Sequence, residues 1–139
     1  MTYLDIIERT VTSQSDNLKS VSDAIWSFAE IRYEETRSAA LLADELEKAG
    51  FDVARNAGNI ETAFVASYGA GQPVVAILGE FDALTGLSQK SGVTSHDPIV
   101  AGGNGHGCGP NLLGNGALAP LLGRKAGKDE LGVGGPLCF

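Results

Sequence analysis

Cysteine is scarce in this chain. Cys108 and Cys138 are the whole complement, too few for a disulfide framework. Basic residues are outnumbered as well: 10 Lys and Arg stand against 17 Asp and Glu, a net charge of −7. With no basic cluster, that balance argues against a nucleic-acid or anionic-membrane surface. No apolar run approaches the ~18 residues of a membrane span. The N-terminus, Met1 to Asp5, has neither a basic region nor a long apolar core, so it does not read as a signal peptide. No internal repeat is visible. Together these absences predict a soluble, cytoplasmic protein with reduced thiols.

What is present fits one globular domain. The 139 residues are 43% hydrophobic and 19% charged, and a domain of that size can bury roughly two-thirds of its unfolded surface. Apolar residues recur at helical spacing from Tyr3 to Glu30, with Val21, Ala24, Ile25 and Phe28 on one stripe. A second helix is expected over 34–49, with Gly50 placed for a left-handed C-terminal cap. The alternation over 51–55 reads as a half-buried strand, followed by turn residues Asn56 to Asn59. A second strand is expected over 62–68. The continuously apolar Val74 to Leu78 reads as a strand covered on both faces. Helices feeding strands in this order predict a layered α/β fold, a mixed sheet with flanking helices.

Gly79 to Asn104 is a long irregular stretch, of the kind that is usually functional or mobile. His96 inside it reads as an exposed loop residue. Leu112 to Leu122 is a helical pattern that Pro110 could open and that Pro120 interrupts, at roughly 3 kcal/mol. The composition changes after Leu122, with a charged run and then the breakers Gly132 to Pro136. The expected division is a folded domain over 1–122 and a divergent, disordered tail over 123–139.

Two loops carry the chemistry, and they are expected to meet at one edge of the sheet. Gly79-Glu80-Phe81-Asp82-Ala83-Leu84 sets two carboxylates where an apolar strand ends. Gly105-His106-Gly107-Cys108-Gly109-Pro110-Asn111 is a glycine-rich turn holding an imidazole and a thiol. Carboxylate, imidazole and thiolate are the donors of transition-metal sites, and ligands of open α/β sheets gather beyond the carboxyl ends of strands. Residue types alone also allow surface carboxylates and a small apolar cysteine. A Cys108–His106 catalytic pair lacks an orienting third group, and the turn lacks the Gly-Lys-Ser/Thr of a phosphate loop.

These two motifs, extended through Leu112-Leu113-Gly114, resemble the metal-binding signature of metallo-amidohydrolases of the aminoacylase and carboxypeptidase G type. The likeness includes Ile25-Trp26, Glu30 to Glu35, Arg55 to Ile60, Ala63 to Gly69 and Gly79 to Gln89, and it covers roughly Asp23 to Gly116. It is strongest to the branch that cleaves p-aminobenzoyl-glutamate. The resemblance implies the N-terminal part of a layered, zinc-peptidase-like catalytic domain. It also implies a small N-acyl amino acid as substrate, two divalent ions (manganese or zinc) and a homo- or hetero-oligomer. It makes Cys108 a metal ligand and Asp82 the strand-end acid of the catalytic centre, with Glu80 and His106 as further candidates. The family's second ligand position, two residues after the cysteine, is Pro110 here, which has no donor atom. Family members are several-fold longer, which implies a fragment inactive by itself. The alternative is a non-catalytic binding or interaction module derived from the same fold.

Overall fold

A computed structural model describes residues 2–132 and 135–139 of the chain. The first helical stretch is two helices, not one: α1 (Tyr3–Ser13) and α2 (Ser15–Phe28). Thr2 and Asp5 open α1 with reciprocal side-chain-to-backbone bonds of 3.2 and 2.6 Å, a capping box. The break at Gln14 follows Thr10-Val11-Thr12-Ser13. Two of these side chains bond back to the helix, Thr10 Oγ to the Ile6 carbonyl and Ser13 Oγ to that of Thr10, and such bonds compete with helix continuation. Helix α3 (Thr36–Lys48) ends as expected, with Gly50 at φ +87°.

The sheet contains β1 (Asp52–Arg55), β2 (Phe64–Tyr68), β3 (Val75–Ala76) and β4 (Leu137–Cys138), in the order β1-β2-β4-β3. β1 and β4 are antiparallel to β2, and β3 runs parallel to β4, so the sheet is mixed, as expected. Helix α4 (Pro110–Leu131) begins with Pro110 in its first turn and runs straight through Pro120.

Two expectations are corrected here. The segment after Leu122 is not a disordered tail among the described residues. It continues α4 to Leu131 and then supplies β4, the strand between β2 and β3; Val133 and Gly134 of the breaker run lie outside the described residues. A division after Leu122 would cut α4 in mid-helix. The third strand is also not covered on both faces. Val75 and Ile77 pack on the core, while Val74, Ala76 and Leu78 are exposed, Leu78 to 92%.

The core lies between the helices and one face of the sheet. Leu18, Val21 and Ile25 from α2, Leu42 and Leu46 from α3, and Leu118 and Leu121 from α4 meet Phe51, Ala66 and Leu137. Phe64 stacks on Phe139 at 5.0 Å and faces Phe81 at 6.2 Å. That contact ties the loop after β3 to the middle of the sheet. No described helix is long and apolar enough to cross a membrane.

Candidate metal centre

The Gly79–Leu84 loop is held from several sides. Its Ala83 amide donates to the Glu30 carbonyl at 2.7 Å, within a parallel bridge to Ile31. Two glycines allow the close approach. A Cβ on Gly79 would lie 2.7 Å from the Phe139 ring, and one on Gly114 of α4 would lie 3.0 Å from Cβ of Phe81. The second loop joins the first through backbone: Leu84 and Gly105 exchange amide–carbonyl bonds of 2.9 and 3.0 Å, and Ser88 bonds to the Gly103 carbonyl at 2.9 Å. Gly105 is mandatory at this crossing, because a Cβ there would sit 2.1 Å from the Leu87 carbonyl oxygen.

The loops therefore meet, as the sequence predicts, but their side chains divide between two cavities. Glu80 and Asp82 line one of about 310 Å³ with Tyr33, Glu35, Phe64 and Phe139. His106 lines the other, of about 350 Å³, with Trp26, Leu87 and Asn104. Asp82 is half-buried and Glu80 exposed. Cys108 is exposed at the tip of its turn, and Pro110 is buried at the start of α4. His96 is exposed on its loop.

His106 is the most constrained of these groups. Its Nε2 lies 3.0 Å from the Ile25 carbonyl, which can only accept, so Nε2 carries the proton. Nδ1 is then a bare lone pair, and it is buried without a partner. Burial pushes the imidazole pKa down; the Ile25 carbonyl and the Asp82 charge pull the other way but do not overcome it. A neutral imidazole with one nitrogen bonded to a backbone carbonyl is the usual state of a metal-binding histidine.

The donors nonetheless do not make a metal centre by themselves. Among the described residues, no three His, Cys, Asp or Glu groups come together in a way that could hold an ion. Pro110 offers no atom, and His106 lines a different cavity from Glu80 and Asp82. Two bound ions do not fit the donor set of the described residues.

Residues that the sequence reading did not single out do much of the positioning. Glu30 receives the Arg37 and Ser38 amides at 3.1 and 2.9 Å. Asn104 and Asn111 donate to the Ala29 carbonyl and to Ser22 Oγ at 3.2 and 3.1 Å. Their only signal in the sequence is the presence of amide side chains in a glycine-rich turn.

The fold and the paired loops define a layered α/β domain with a mixed sheet. Two solved structures share that fold. A protein from methicillin-resistant Staphylococcus aureus, put forward as an aminohydrolase, superposes with a TM-score of 0.75 at 19% identity, covering 99% of this chain and 34% of its own. A dinuclear metal-binding peptidase of the M20 family from Bacillus subtilis gives 0.71 at 18%, covering 92% of this chain and 34% of its own. In sequence, the chain is similar to one of the subunits of p-aminobenzoyl-glutamate hydrolase from Escherichia coli (strain K12), 46% identical over 133 residues. That match takes in 96% of this chain but 28% of the relative's length, so the chain spans about a quarter of the curated protein it resembles. The match reaches beyond Leu122, into the segment that forms the end of α4 and β4. No family model matches the chain.

Proposed function

We propose that this chain is the N-terminal share of a metal-dependent amidohydrolase that cleaves an amide bond to an amino acid, with p-aminobenzoyl-glutamate or a close N-acyl amino acid as substrate. The observation that carries this reading is the Leu84–Gly105 bridge. It sets the Asp82 loop against the Cys108 turn in a chain 46% identical to part of such a hydrolase. In this reading Cys108 is a metal ligand and Asp82 the acid that supports the centre. Glu80 and His106 are accessory donors.

A pair of manganese or zinc ions would need donors beyond the described residues, and a homo- or hetero-oligomer is one source of them. Alone, the chain is inactive. A reducing, cytoplasmic setting fits its two free thiols.

Calorimetric titration of the purified chain with manganese or zinc, beside a turnover assay on p-aminobenzoyl-glutamate, tests the proposal. The expected result is weak metal binding that Cys108→Ser lowers by more than ~100-fold, since loss of a direct ligand exceeds the ~10–100-fold of an outer partner, and no turnover. Equal metal binding by Cys108→Ser removes the ligand assignment and leaves the interaction-module reading. Turnover that survives further purification overturns the claim that the chain is inactive alone.

A further inference from the structure

The turn that carries Cys108 has no regular secondary structure of its own before Pro110, yet it is anchored along its length to a single helix. Asn104 Nδ2 donates to the Ala29 carbonyl at 3.2 Å, His106 Nε2 to the Ile25 carbonyl at 3.0 Å, and Asn111 Nδ2 to Ser22 Oγ at 3.1 Å. Ser22, Ile25 and Ala29 are spaced three and four apart, so they form one stripe of α2 and its cap. The last carbonyls of a helix are its negative end, and each carbonyl oxygen has two lone pairs. The Ile25 carbonyl takes the His106 bond beside that of the Ala29 amide at 3.2 Å, and the loop brings a second neutral donor to the Ala29 carbonyl at the cap.

The opposite side of the turn is closed by chain. A Cβ on Gly105 would lie 2.1 Å from the Leu87 carbonyl oxygen, and one on Gly107 2.5 Å from Leu87 Cδ1. The turn is thus packed between α2 and the Leu84–Ser88 segment, which it meets closely at Gly105 and Gly107.

We infer that Asn104, His106 and Asn111 are positioning residues that strap the Cys108 turn to the C-terminal end of α2. His106 is the central rung, held as the Nε2–H tautomer. Its two neighbours fix the turn at each side, one where the chain leaves the Leu84 bridge and one inside the first turn of α4. The rungs orient the backbone that presents Cys108 rather than touching a substrate. The functional weight of the strap rests on the proposed role of Cys108. The geometry of the strap does not.

Hydrogen exchange read by mass spectrometry on the full chain tests it. The amides to follow are Gly105, Gly109 and Leu113, which bond to Leu84, His106 and Gly109 carbonyls. Segments 39–49 and 62–68 serve as the reference. In His106→Ala, exchange over 103–113 is expected to rise about tenfold, the effect of losing one well-made hydrogen bond, with the reference segments unchanged. His106→Gln keeps an N–H at a similar reach and is expected to restore wild-type protection. Asn104→Ala gives the same local increase and serves where His106→Ala does not fold. Imidazole nitrogen shifts in the wild type should report a protonated Nε2 and a bare Nδ1. Unchanged exchange over 103–113, failure of Gln to restore it, a uniform rise across all segments or the opposite tautomer each overturn the strap. Because no metal enters this measurement, a strap that holds beside a failed metal titration, or the reverse, separates this inference from the functional proposal.

Discussion

Glu30 holds together two elements that flank the candidate centre. Its carboxylate accepts the amides of Arg37 and Ser38, Ser38 Oγ at 2.8 Å and Arg37 Nε at 3.3 Å. It thereby fills orphan donors in the first turn of α3 that Glu35, at the N-cap, leaves without a side-chain bond. Its own carbonyl receives the Ala83 amide beside Asp82. Burial by itself would push the Glu30 carboxyl up, but the amide and side-chain donors prevail and its pKa lies below the usual 4.5. With a depressed folded value, the stabilisation is complete above about pH 4.5. It is lost as the pH falls through the folded pKa. Glu30→Gln is expected to lower stability by about 1–2 kcal/mol at pH 7, from charge-assisted bonds replaced by weaker ones at a helix N-terminus. The gap between variant and wild type should narrow in urea melts at pH 3.5; a gap that stays constant with pH would exclude a charge-based role. None of this is legible locally, because the capping carboxylate sits on the chain before α3 instead of in its first turn.

At the scale of elements, α4 shows how packing overrides a local signal. The charged run after Leu122 and the proline at 120 read as the end of a helix. In the structure Leu118 and Leu121, on either side of that proline, are 0% exposed, and burying a leucine side chain is worth about 1.5–3 kcal/mol. Beyond them, Gly123 and Gly127 lie one turn apart and receive α1. A Cβ would come within 2.9 Å of Ile7 and 2.6 Å of the Tyr3 ring, respectively. Tyr3 also donates to the Arg124 carbonyl at 3.2 Å, and Arg9 pairs with Glu130. Glycines four apart were the available sign of a helix–helix contact, but in a sequence full of glycine they do not stand out from the charged run around them. Helix α3, its glycine cap and the alternation of β1 were legible because each carries a local period or cap. Pro120 itself is exposed, so its side chain contributes little packing to offset the hydrogen bond it removes from the Gly116 carbonyl. Pro120→Ala is expected to stabilise the chain by about 1–2 kcal/mol, less than the full helix-interior penalty because the unfolded chain gains freedom as well. A lowered melting temperature would show that the proline fits a local bend the helix needs.

For the molecule as a whole, the α/β class and the meeting of the two loops followed from the order of elements and from the signature. The strand order did not. Pairing between distant segments leaves no period in the sequence, and β4 is two residues long, too short to show alternation. Yet the sheet is closed by that strand. Among the described strands, β3 pairs only with β4, and β4 pairs on its other side with β2. The Phe139 amide and carbonyl both bond to Ala66, and Ile77 bonds to the Cys138 carbonyl at 2.9 Å. The loop bearing Asp82 follows β3 directly, so its position depends on residues more than fifty positions further along the chain.

Leu137 is where this dependence can be measured. It is 0% exposed, paired with Tyr68 on one side and Val75 on the other, and packed into the central cluster. Truncation to alanine removes buried methyl groups at a point where neighbouring strands cannot close the gap independently. Leu137→Ala should therefore fall in the usual range for buried leucine, about 2–5 kcal/mol. If β4 joins β3 to the rest, the loss will not be uniform. Amides of Val75 and Ile77, which bond to the carbonyls of Pro136 and Cys138, should lose hydrogen-exchange protection more than those of α3, whose bonds lie within one helix. Local opening of that kind marks the less stable units of a fold. Equal loss in β3 and α3 would mean that the sheet and helices unfold as one body, and that the Asp82 loop is secured by the Glu30 and Phe64 contacts without help from β4.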